Sequence, residues 1–158
     1  MPNWCHNIAT FSHKDTSLME RLMNAVNLNQ LLSEFIPFPE NDSELLQDWC
    51  TKNWGTKWEL EDIKLTRNSD PYSITIEFYS AWSPPLGFYQ VMRKNGYNIR
   101  AVYKEDGLMF IGQIIDDVHD YFEYTFETYM NLPPYILSFY ENEIRENMKL
   151  HFCADDLQ

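Results

Sequence analysis

Hydrophobic and polar positions alternate with period two in four stretches of the chain and with helical period in several others. Residues 5–12, "CHNIATFS", place Cys5, Asn7, Ala9 and Phe11 on one side and His6, Ile8 and Thr10 on the other, the signature of a short strand. Leu18, Leu22, Met23 and Val26 then repeat at helical intervals, and Ser17 with Glu20 has the spacing of a capping box, so a helix is expected over about 17–28. "LNQLLSEFIPFPEN" breaks that pattern, and Pro37 and Pro39 predict an extended stretch. A second helical piece over about 43–52 leads into "NWGTKW".

Leu60, Ile63 and Leu65 suggest a strand over 60–67, and Ile74, Ile76 and Phe78 alternate in another over 72–79. Ser83 is the expected cap of a helix over 85–95, with Pro84 in its first turn and Gly96 at its end. Tyr97, Ile99, Ala101 and Tyr103 mark a strand over 97–104, and "KEDG" turns it into a returning hairpin strand. The order βαββαβ predicts an α+β, ferredoxin-like antiparallel sheet with both helices on one face. The hairpin strand and a C-terminal helix extend it. Residues 1–115 form this domain, and 116–158 form an acidic aromatic extension packed on it. In the extension, "YFEYTFETY" alternates like a strand and "PYILSFYENEIRENMKLHF" reads as a terminal helix.

That order has a consequence for the tryptophans. Strands one and two start, and strands three and four end, at the same edge of the sheet. Asn3 and Trp4, Trp54 through Trp58, Trp82 with Ser83, and Glu105 should therefore meet there. Two readings of this edge stay open. One is an aromatic plug whose indoles close the end of the sheet. The other is a binding site formed by Asn3, Trp4, Trp54, Thr56, Lys57, Trp58, Trp82, Ser83 and Glu105.

The blocks "MPNWCHN", "NWGTKW", "AWSPP" and "YKEDGLMFIG" resemble the signature blocks of the YubB-type ferredoxin-like family over about residues 1–115. The resemblance implies that fold and an origin on a bacteriophage, plasmid or integrated element. It implies no particular chemistry.

Charge narrows the function further. The chain carries 24 acids against 12 Lys and Arg, a net of −12, which argues against direct binding to nucleic acid. Three explanations remain: solubility, imitation of nucleic acid, or an acidic surface for a basic partner. From residue 116 onward ten acids face only Arg145 and Lys149. Asp120, Glu123, Glu127, Glu141, Glu143 and Glu146 are the expected interaction surface, turned to water by apolar positions that face inward.

Candidate chemistry is sparse. Cys5 and His6 are neighbours in a strand and point to opposite faces, and the three cysteines suggest reduced thiols in a cytoplasm. No spacing supports a metal site, the Asp116, Asp117, His119 and Asp120 group reads as a solvated turn, and no cofactor motif occurs. No apolar run approaches the roughly 20 residues of a membrane span. The expectation is a non-enzymatic protein of the bacterial host cytoplasm that binds a host protein through a basic surface on that partner. The alternative is a binder of a small ligand or nucleotide derivative at the tryptophan edge.

Overall fold

The computed structural model describes residues 3–39, 46–123 and 125–151. Its centre is one six-stranded sheet, built from β1 (Trp4–Ser12), β2 (Glu61–Arg67), β3 (Ser73–Ala81), β4 (Asn98–Glu105), β5 (Phe110–Ile115) and β6 (Val118–Glu123). The strand order is β2-β3-β1-β4-β5-β6, and every neighbouring pair is antiparallel. The class is α+β.

Alternation decides which side chains enter which layer. Ala9, Phe11, Ile74, Ile76, Phe78, Ile99 and Ala101 face a core closed by α1 (Thr16–Asn27), α2 (Leu31–Phe35), α3 (Leu46–Asn53) and α4 (Leu86–Lys94). The opposite face, through Val102 and Ile111 with Ile8 beside them, carries a second core. Ile136, Tyr140, Ile144 and Met148 of α6 (Pro134–His151) complete it. The two helices expected over 17–28 and 85–95 thus share a face, and the terminal helix covers the other. The segment from residue 116 supplies β6 to the same sheet.

Several local expectations are corrected. The α1 cap is Asp15, whose carboxylate accepts the Ser17 N–H at 2.9 Å, rather than a Ser17–Glu20 box. Its buried stripe is Met19, Leu22, Ala25 and Val26, with Leu18 and Met23 on the flanks. Pro37 and Pro39 lie outside any helix, but the same segment forms a helix just before them, α2. Its first turn is held by Glu59, whose carboxylate accepts from Leu32 N and Ser33 N at 2.8 and 3.0 Å. A capping anion from so far along the chain leaves no local signal.

Ser83 does not cap α4, which follows Pro85 without a side-chain cap. The strand expected to run through residue 129 stops at Glu123. Thr125 and Thr128 form a capping box, and the chain turns into α5 (Phe126–Met130). The first residues of the helix expected over 43–52 lie outside the described residues.

Candidate functional site

Antiparallel pairing brings the four distinctive segments together. Trp4 lies opposite Ala81 and Cys5 opposite Glu105 across β1, and the loop after α3 reaches Trp4 through Trp58 and Ala81 through Thr56. Gly55, at φ +87°, lets its backbone lie against the α4 entry, where a Cβ would stand 2.7 Å from Leu86 N. Thr56 is buried and acts as a substitute strand partner. Its hydroxyl accepts from Ala81 N at 2.9 Å and donates to Ala81 O at 3.0 Å. The Ser83 hydroxyl donates to Gly55 O, and Trp82 N donates to Asn3 O at 2.8 Å. These bonds fasten the edge.

The tryptophans divide. Trp54 is 5% exposed, its indole N–H donates to Ile36 O at 2.9 Å, and its ring meets Trp49 edge-on at 5.7 Å. It is a core residue. Trp4 and Trp58 are half-buried and touch edge to face at 6.2 Å. Trp82 is 36% exposed at φ +71°, with Lys57 Nζ 4.8 Å from its ring centroid.

Glu105 holds the turn that follows it. It is 2% exposed, and its carboxylate accepts from Gly107 N at 2.8 Å and from Leu108 N. Asn3 stands beside the same turn, close to Gly107.

Among the described residues the surface holds several concavities. A groove of about 360 Å³ runs past Trp54, Lys57 and Trp58 to Cys50 and Leu46. A notch of about 130 Å³ is lined by Trp4, Glu61, Asp62 and Tyr79. A depression of about 480 Å³ lies at the end of α4, between Arg93, Tyr97 and Asp116.

The acidic residues of the extension are largely engaged. Glu141 pairs with Arg145 and Glu146 with Lys149 along α6, and Glu143 reaches Lys104 of β4 at 2.8 Å. Asp120 accepts from Gln113 at 2.8 Å. Glu123 ends β6 and Glu127 lies in α5, both exposed. Glu141, Glu143 and Glu146 do face water, as expected, but each has a cation of its own chain beside it.

The candidate chemistry separates in space. Burial pushes the Cys5 thiol far up, against hydrogen bonds to Ser80 and Asn7, so no thiolate forms near neutrality. Asp117 pairs with Arg93, and His119 shares a 2.6 Å hydrogen bond with the Tyr103 hydroxyl. Among the described residues no group of three His, Cys, Asp or Glu side chains comes together to hold a metal ion.

One constellation has no signal in the sequence. His6 Nδ1 lies 3.0 Å from the Tyr140 hydroxyl and Nε2 lies 3.1 Å from Glu77, joining α6 to β1 and β3. The hydrogen bond from His6 holds the Glu77 carboxyl below its ordinary range, against partial burial and with Lys64 adding to the effect. It was invisible because its members lie 134 and 71 residues apart.

No family model matches the chain, and no curated protein matches it. A solved structure does: a protein Api92 from Yersinia pseudotuberculosis, of the family model DUF1281. It aligns with a TM-score of 0.50 at 10% identity over 79% of this chain and 99% of its own. At that identity the likeness is one of fold.

Proposed function

We propose that the protein is a non-enzymatic interaction protein that binds and modulates a host protein with a basic surface. The observation that carries this reading is Trp82. A bulky residue at positive φ stores strain of about 1–3 kcal/mol, and such strain collects where a surface is used. Here it holds a partly exposed indole against Lys57, at the sheet end where Trp4 and Trp58 meet, on a molecule of net charge −12. Tryptophan is among the residue types enriched at the anchors of protein–protein interfaces.

Charge supports the choice of partner. Arg21, Lys64, Lys104, Arg145 and Lys149 are already paired with carboxylates of the chain, so the acid surplus is left to attract cations from outside. The strand order β2-β3-β1-β4, with α1 and α4 on one face, supports a ferredoxin-like reading of residues 1–115. It is also the fold that the resemblance to the YubB-type family implies. An origin on a phage or mobile element, and action in the bacterial cytoplasm, follow from that resemblance. Among the described residues no helix is long and apolar enough to cross a membrane.

The test is capture of partners from a bacterial lysate at low and high ionic strength, with the parent, Trp82→Ala and a Glu141, Glu143, Glu146→Gln triple variant. A specific basic protein should be retained at low salt, released at high salt and lost with Trp82→Ala. Because its carboxylates are paired, the triple variant should weaken retention only in part. Retention that ignores both salt and Trp82 overturns the reading.

The groove past Trp54 and Trp58 favours a second reading, a binder of a small ligand such as a nucleotide derivative. Its size lies within the range of small-molecule pockets, roughly 300–1,000 Å³. Quenching of tryptophan fluorescence by added nucleotides tests it, and an unchanged emission across a millimolar titration rejects it.

A further inference from the structure

Among the described residues the terminal helix packs chiefly over β4 and β5, and Glu61, Lys64 and Thr66 of β2 are exposed. Glu61 pairs with Tyr79, and Lys64 pairs with Glu77, so β2 has one residue more than β3 between these two positions. That is a β-bulge, and Asp62 sits in it at φ +50°. In a regular strand Glu61 and Asp62 would point to opposite faces. The bulge lets both line one notch, together with Trp4 and Tyr79.

We propose that this notch receives the guanidinium of an arginine side chain on the partner protein. Both carboxylates are exposed, and Lys64 of the same strand pairs with Glu77. Trp4 and Tyr79 supply aromatic walls on which a guanidinium stacks, and carboxylates receive its forked N–H donors. At about 130 Å³ the notch is too small for a drug-sized ligand and suits the end of one side chain. Its net charge excludes phosphate. The bulge explains why a strained aspartate is kept at an exposed strand edge: it turns a second carboxylate toward the same cation. This inference rests on the interaction reading above and names the chemistry by which the partner is recognised.

The probe is N-acetyl-arginine amide, titrated into 15N-labelled full-length protein, with the citrulline and lysine analogues as controls. The Trp4 indole N–H and the Glu61, Asp62 and Tyr79 amides should shift in a saturable way at millimolar concentration. Citrulline, isosteric but neutral, should shift none of them, and lysine should bind several-fold more weakly. Glu61→Gln with Asp62→Asn, both exposed, should weaken the arginine probe about tenfold and leave the rest of the spectrum in place. Equal shifts by citrulline, lysine binding as tight as arginine, shifts centred elsewhere, or an unaffected double variant each overturn the assignment. The probe and the lysate capture fail separately. A salt-sensitive partner without probe binding removes the notch alone, and probe binding without any partner removes the interaction reading alone.

Discussion

Lys57 Nζ lies 4.8 Å from the centroid of the Trp82 ring, at the end of the sheet where the loops after α3 and β3 meet. Trp82 is partly exposed and Lys57 half-buried, whereas Trp54, a few residues away, is sealed in the core. Substitution separates the two roles. Trp54→Ala should lower stability by about 3–5 kcal/mol, the range for truncating a large buried aromatic. Trp82→Gly loses an exposed cation–π contact of about 0.5–1 kcal/mol and relieves a left-handed backbone. Its stability should stay within about 1 kcal/mol of the parent. Urea unfolding of both variants reads the difference, and comparable losses would contradict the assignment.

Gly112 is a second point where one atom matters. It lies opposite Tyr103 across β4 and β5, and the Tyr103 ring occupies the space where a Cβ would stand, with Asp120 O also close. Gly112→Ala should therefore destabilise the protein by about 1–3 kcal/mol, as overpacking does. The companion change Tyr103→Leu should recover part of that loss in a double-mutant cycle.

Stability should fall at alkaline pH. Burial raises Tyr97 to about 12 and pushes Tyr103 and Tyr89 well up, so the folded chain keeps protons that the unfolded chain gives up from about pH 10. The unfolded state then binds fewer protons, and the unfolding free energy falls with rising pH. Each such group contributes a slope of about 1.4 kcal/mol per pH unit between its unfolded and folded values. Lys104 acts in the same direction: burial lowers its pKa, but hydrogen bonds to Asp106 and Glu143 more than offset this and raise it. Tyr97→Phe should flatten the profile between pH 10 and 12. At neutral pH it should cost about 1 kcal/mol for the lost hydrogen bond to Leu18 O.

The thiols offer a simpler check. Cys5 and Cys50 are buried, and burial raises both thiols above their ordinary value. In a Cys153→Ser variant the folded protein should react with a thiol reagent only through opening of the fold, and both sites should react at once in urea. Rapid labelling of the folded protein would show an accessible cysteine.

Much of the layer structure was legible locally. The alternation through Cys5, Asn7, Ala9 and Phe11, and again through Ile74, Ile76 and Phe78, follows from the two-residue period of a strand, which needs no distant partner. The order of the elements predicts that Trp4, Trp54, Trp58 and Trp82 meet at one edge, because antiparallel connection leaves few places for their ends. Trp4 and Trp58 touch there, whereas Trp54 enters the core. What tertiary structure alone decided are matters of register and distance. The Glu59 carboxylate caps a helix 27 residues away. Glu143 finds Lys104, and His6 finds Tyr140. Trp54 turns inward to Ile36 while Trp82 stays out. One extra residue in β2 sends Asp62 to join Glu61. Periodicity reports which face a side chain takes; which of four equivalent indoles is buried depends on the volume that remote segments leave to fill.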